Sequence, residues 1–291
     1  MQRGRMHHAW LLHGVRGIGK FALAEKLAGM LLCESGSACG ECHACQMLKA
    51  ESHPDVHRVG LLEKKRDISI DQVREVLGFL SLSGAEGERR VVILDEAERL
   101  NNQAANALLK GLEEPSAGSV LIMVCADAMK LPATVRSRCL MQHCSPLTEN
   151  DVRTVLESKL DANTIDLAVK LADGCPGSVS CLEDASVAKA LAEWQRLVED
   201  VTRADIGKVE NWCRAHVVSV PHELIIRALL QPVYPRLQDY QGTGFEALEA
   251  IHKAVKDCLR WPGEVIRQSL RASPTLLSCL LELRTALKST D

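Results

Sequence analysis

The stretch Gly14-Val15-Arg16-Gly17-Ile18-Gly19-Lys20-Phe21 constrains what this chain can fold into more than any other. It follows a short apolar run, Ala9-Trp10-Leu11-Leu12, and opens a helically spaced pattern that continues to Leu32. A strand, a glycine-rich turn and a helix in that order form a phosphate-binding loop. Backbone N–H groups at the helix start face the anion, and Gly14, Gly17 and Gly19 let the backbone come close to it. The spacing G-x-x-x-x-G-K is complete at Lys20. The next position should supply a Ser or Thr hydroxyl for Mg²⁺, and it is Phe21.

A second signal is Arg90-Val91-Val92-Ile93-Leu94-Asp95-Glu96-Ala97. Four apolar residues in a row suit a strand buried on both faces of a parallel sheet. The acids that follow sit where such strands present ligand-binding edges. With a phosphate loop, Asp95 is placed to hold Mg²⁺ and Glu96 to polarise an attacking water. The runs at 56–59, 120–125 and 140–143 read as further strands. Between them, Ser69-Ile70-Asp71-Gln72 forms a capping box for a helix with Val73, Val76, Leu77 and Leu80 on one face. Ala105, Leu108, Leu109 and Leu112 share the face of another helix, which Pro115 stops. Strands alternating with helices predict a parallel α/β sheet over residues 1–146.

Cys33, Cys39, Cys42 and Cys45 fall at C-x5-C-x2-C-x2-C spacing among small residues and Gly40. Four thiolates this close can surround one tetrahedral Zn²⁺. Such a closed set is structural, because it leaves no position for substrate. His43 and His53 are alternative ligands, but four cysteines already complete the set. The other eight of the twelve cysteines are scattered singly, a usage that fits a reducing compartment better than a disulfide framework.

Composition closes off several classes. A formal charge of -3 argues against a protein that holds nucleic acid by its net field. No run of eighteen apolar residues occurs, and residues 1–8 lack the apolar core of a signal peptide. A cytoplasmic location without membrane contact is expected.

After Ser145-Pro146 the character changes. Thr148-Glu149-Asn150-Asp151 starts a helical pattern that runs to Leu160 and resumes from Ile165 to Ala172, until Gly174-Cys175-Pro176-Gly177 interrupts it. From Ala185 on, every segment reads as helix, punctuated by Pro221, Pro232, Pro235, Pro262 and Pro274. Ser273-Pro274 reads as an N-cap and first-turn pair, and Thr243-Gly244-Phe245-Glu246 as a capping box. Leu191, Trp194, Leu197, Val198 and Val201 form an apolar stripe whose expected role is core. No catalytic constellation is visible here, and an assembly module is expected.

Taken in order, the motifs resemble those of the bacterial clamp-loader AAA+ subunits across roughly residues 1–180. They are the phosphate loop, the four cysteines, His53-Pro54-Asp55, Asp95-Glu96, the Asn106-to-Pro115 helix and Ser137-Arg138-Cys139. The N-A-L-L-K-x-L-E-E-P stretch and the S-R-C triplet are the specific ones. The resemblance implies an AAA+ P-loop parallel-sheet domain at 1–146 with a zinc module inserted at 33–45. A small helical lid at 147–184 and a helical collar at 185–291 would follow, giving an α/β plus all-α chain.

Three departures from the family pattern concern the ATP site. Phe21 has no oxygen for magnesium. The sensor Arg expected after Gly174 is replaced by Cys175-Pro176-Gly177-Ser178. Little chain precedes the first strand where an adenine-contacting segment is expected. The resemblance therefore implies a degenerate site that keeps Gly14, Gly17, Gly19, Lys20, Asp95 and Glu96 but does not hold ATP and Mg²⁺. It further implies that Arg138 is an arginine finger directed at ATP on a neighbouring subunit, so that the chain is not catalytic alone. The implied partners are gamma/tau-type and delta-type subunits in a hetero-pentameric ring at the replisome of a bacterial nucleoid, with a sliding clamp and primer-template DNA reached through the complex. Two alternatives stand beside this: an active gamma/tau-like ATPase that tolerates Phe21, and a zinc-stabilised scaffold with no part in any ATP site.

Overall fold

The computed structural model describes residues 7–82, 84–86, 89–238 and 245–288. The chain divides into two compact units, residues 1–147 and 148–291.

In the first unit the elements run β1 (Ala9–His13), α1 (Lys20–Leu32), α2 (His43–Lys49), β2 (Val56–Val59), α3 (Ile70–Ser81), β3 (Arg90–Leu94), α4 (Asn102–Glu113), β4 (Ser119–Cys125), α5 (Ala133–Arg136) and β5 (Leu140–His143). The strands form one sheet in the order β2-β3-β4-β1-β5, every neighbouring pair parallel. This is the α/β fold that the alternation predicts. The continuous apolar runs of β3 and β4 follow from burial on both faces. Val92, Leu94, Leu121 and Met123 pack with α3 and α4 on one side. Val91, Ile93, Val120 and Ile122 pack with Ala24 and Ala28 of α1 on the other. The helical stripe of α1 is narrower than its sequence suggests, since Ala22 and Leu23 are exposed. β5 is an edge strand with all four residues exposed.

The capping box on α3 forms as expected: Ser69 Oγ accepts the Gln72 N–H at 3.4 Å, and Gln72 Oε1 accepts the Ser69 N–H at 3.1 Å. The His53-Pro54-Asp55 turn has a buried structural function that its sequence does not reveal. Asp55, wholly buried, accepts the N–H groups of Ala85 (2.7 Å) and Glu86 (2.8 Å) and lies 3.6 Å from Arg90 Nε. Part of the turn at 83–87 lies outside the described residues.

The second unit is helical: α6 (Glu149–Glu157), α7 (Ala162–Ala172), a 3-10 segment (Pro176–Glu183), α8 (Ala185–Val198), α9 (Ile206–His216), α10 (His222–Leu230), α11 (Val233–Gln238), α12 (Phe245–Gln268) and α13 (Ala272–Lys288). The predicted stripe is core, with Leu191, Trp194, Val198 and Val201 buried. Trp194 donates to Ile225 O (2.9 Å) and Trp212 to Ala190 O (2.8 Å), so each indole enters the core with its N–H satisfied.

Two helix boundaries differ from the sequence reading. Pro262 does not end a helix but lies inside α12. Ile251, Ala254, Cys258, Trp261 and Val265 make a seam at alternating three- and four-residue steps, matched by Leu276, Leu280, Leu283 and Leu287 of α13. Burial along that seam outweighs one lost helical hydrogen bond. α13 starts at Ala272, so Ser273 is within the helix rather than its cap, and its hydroxyl donates to Cys213 O at 2.9 Å. Thr243, on which the second capping box depends, lies outside the described residues.

Candidate functional site

The phosphate-loop residues and the acids after β3 come together at the carboxyl ends of the parallel strands. Gly14, Gly17 and Gly19 all take positive φ (148°, 80° and 99°), and Gly19 is the left-handed N-cap of α1. Lys20 is buried, and its ammonium donates to two carbonyls of its own loop, Gly14 O at 2.7 Å and Val15 O at 2.8 Å. Arg16, on the loop, donates from Nη2 to Glu96 Oε1 at 2.8 Å and lies 3.6 Å from Glu98 Oε1. Glu96 itself has φ 48°, and Asp95 Oδ1 accepts its N–H at 2.8 Å. Burial pushes the Asp95 carboxyl above its ordinary value of 3.8, helped by neighbouring Glu96 and Glu98.

The sequence assigns Arg16 and Glu98 no role, yet Arg16 ties the loop to the end of β3. It also engages the carboxylate expected to orient water. Phe21, in the first turn of α1, is 39% exposed and offers no oxygen to a cation. Around Lys20, then, position 21 carries no hydroxyl and Glu96 is ion-paired with Arg16.

The four cysteines converge. Their sulfurs all lie within 4.8 Å of one another, with Cys33–Cys39 at 3.6 Å, Cys33–Cys42 at 3.8 Å and Cys39–Cys45 at 4.0 Å. Four sulfurs about 2.3 Å from a common centre in a tetrahedron would be about 3.8 Å apart, so the set can hold a metal ion. Local backbone prepares it: Cys33 caps the end of α1, Cys42 precedes α2, Cys45 lies within α2, and Gly40 turns at φ 83°. Amide N–H groups of Cys39 and Cys42 point at Cys33 and Cys39 sulfurs (3.5 and 3.4 Å). The Ser35 hydroxyl and the Cys39 amide pull the Cys33 thiol down to about 4, whereas at Cys45 the Gly40 amide is outweighed by burial and the neighbouring thiols, which push it up to about 12, so the four sulfurs do not ionise alike. His53 is not among the four. It is buried, and its Nδ1 accepts the Asp55 N–H at 3.1 Å.

Arg138 is not joined to the phosphate loop. It follows α5, and its Nη1 donates to Thr134 O (2.9 Å) and Ser137 Oγ (3.4 Å). Its Nη2 pairs with Glu113 Oε1 at 2.5 Å, at the end of α4. The L-E-E-P and S-R-C motifs thus meet in one ion pair that neither motif announces. In the second unit, the Cys175-Pro176-Gly177-Ser178 turn is met by Arg227 of α10. Its Nη1 donates to Leu171 O at 2.9 Å and Ser178 Oγ at 3.0 Å. That arginine is held at the C-terminal end of α7.

Comparison with known proteins adds the following. Residues 1–148 match the family model described as DNA polymerase III, delta subunit. The chain is 47% identical over 145 residues to the DNA polymerase III subunit delta' of Pseudomonas aeruginosa, covering 49% of this chain and 44% of that protein. It is 30% identical over 290 residues to the subunit delta' of Escherichia coli, covering 96% of this chain and 81% of that one. The DNA polymerase III subunit tau of Salmonella typhimurium is 32% identical over 195 residues, 64% of this chain and 30% of the relative. The matched part thus spans less than half of the first relative and most of the second.

Proposed function

This chain belongs to the DNA polymerase III delta-prime family, and from that membership we propose that it is a clamp-loader subunit whose own nucleotide site is inactive and whose Arg138 serves the ATP site of a neighbouring motor subunit. The neighbour would be of the gamma/tau type, in a hetero-pentameric ring with a delta-type subunit that loads a sliding clamp onto primer-template DNA. Residues 147–184 would form its lid and residues 185–291 its collar. The four cysteines would hold a structural Zn²⁺.

One observation carries the reading: the cations of the phosphate loop are bound by the chain itself. Lys20 bonds two loop carbonyls and Arg16 bonds Glu96, while Phe21 stands where a magnesium ligand is needed. Arg138 is the other half. An arginine supplied in trans stabilises charge on a transferring γ-phosphoryl group by roughly 10³- to 10⁵-fold in rate. Lys20, Asp95 and Glu96 are the residues an active ATPase would use, and the delta-prime reading also accommodates them.

Calorimetric titration of the isolated chain with ATP, with and without Mg²⁺, should give no magnesium-dependent binding. Tight binding that requires Mg²⁺ would favour the active ATPase. In an assembly reconstituted with gamma/tau-type and delta-type subunits, Arg138→Ala should leave assembly intact and slow hydrolysis at the adjacent site by about 10³-fold or more. An unchanged rate would reject the finger and leave a scaffold.

A further inference from the structure

Building on the proposed role of Arg138, we propose that Glu113 is a positioning residue: it holds the Arg138 fork folded against its own domain and sets how readily that fork leaves for a phosphate. Both terminal nitrogens of the guanidinium are turned inward. Nη1 donates to Thr134 O and Ser137 Oγ, and Nη2 pairs with Glu113 Oε1. A finger must present that same fork outward, so the described conformation is a resting one.

Glu113 suits the task by its place in the fold. It is the last residue of α4, where unpaired carbonyls give the helix end partial negative charge. A carboxylate there adds to that charge, and the Arg138 guanidinium offsets both. Thr134 O and Ser137 Oγ, at the end of α5, supply two more acceptors. Three acceptors from two helix ends thus define a cradle for one fork.

The hold is weak enough to be released. The Arg138 and Glu113 side chains are 36% and 50% exposed, so solvent screens the pair. Exposed pairs of this kind contribute about 0.2–1 kcal/mol, equivalent to roughly a 1.5- to 5-fold bias in a two-position equilibrium. A nucleotide phosphate carries more charge than one carboxylate and can take the fork in bidentate fashion. It would therefore draw Arg138 away from Glu113 when an ATP site closes on it, and Glu113 would take it back afterwards.

The variant Glu113→Gln keeps size and removes charge. In the full-length isolated chain, modification of Arg138 by a dicarbonyl reagent, followed by peptide mass spectrometry against the other arginines, should speed up by about 1.5- to 5-fold. In the reconstituted assembly, kcat at the adjacent site should rise by a similar factor with KM for ATP unchanged. That gain should vanish in the Arg138→Ala background. An unchanged or slower modification rate, or a lower kcat, would overturn the proposal. So would a gain that survives Arg138→Ala, because Glu113 would then act on the phosphate directly. If Arg138→Ala alone leaves hydrolysis untouched, the finger reading falls. The modification rate still decides separately whether Glu113 holds Arg138.

Discussion

Gly14 has φ 148°, and a methyl group built on it would lie 2.2 Å from the carbonyl oxygen of Cys144. Just beside this contact, the Cys144 N–H donates to His13 O at 2.7 Å, closing the β1–β5 pair. Gly14→Ala must push these strand ends apart. Its cost should be about 1–3 kcal/mol of unfolding free energy, measured by urea denaturation, and a neutral result would mean that the loop has room to move. The glycine positions of the loop were legible because a tight strand-to-helix turn needs positive φ, which Gly14, Gly17 and Gly19 all take. What surrounds them was not. Arg16 chooses Glu96 across eighty residues of chain, and nothing in the sequence distinguishes that partner from Asp95 or Glu98. The same holds for Glu113 and Arg138: each belongs to a readable motif, but their contact exists only after α4 and α5 are placed.

At the scale of elements, what was legible was whatever is decided locally. Thr148 Oγ1 accepts the Asp151 N–H at 3.3 Å, as T-x-x-D predicts. Asp161 and Asp184 cap α7 and α8 in the same way without having been identified from sequence, since their helices lack the acidic or amide residue three positions on that completes a box. Non-local packing decided the rest, as with Pro262 inside α12. The aspartate caps have a pH consequence. Hydrogen bonds from the Thr164 hydroxyl and backbone to Asp161, and from the Ser186 hydroxyl and backbone to Asp184, hold both carboxyls below their ordinary value of 3.8. Carboxyls depressed in the folded state add stability that is fully present above the unfolded pKa. That contribution is lost as pH falls from 3.8 through the folded values. Denaturant titrations should therefore show this part of the helical unit's stability fading below about pH 4. Asp161→Asn and Asp184→Asn together should flatten that dependence, because Asn caps without titrating. An equally steep acid limb in the double variant would assign it to other carboxylates.

For the whole molecule, the chain divides into two compact units, and the cysteine cluster belongs wholly to residues 1–147. It joins the end of α1 to α2, while Ala24 and Ala28 of α1 pack on the sheet. A metal there closes a short loop, and its binding free energy becomes folding free energy for that corner. Three of the four tryptophans, Trp194, Trp212 and Trp261, are buried in the helical unit, so intrinsic fluorescence reports chiefly on residues 148–291. The two units can thus be followed separately in one sample. Elemental analysis should find one zinc per chain, and Cys42→Ser should lose it. A strong chelator at neutral pH should raise amide exchange first across residues 33–50 and lower the melting temperature of the α/β unit. The tryptophan-reported transition should stay in place. Lowering the pH should release the metal, because thiolates must take up protons to let it go. Metal retained in Cys42→Ser, with exchange across 33–50 unchanged, would show that the four sulfurs are neighbours and not ligands.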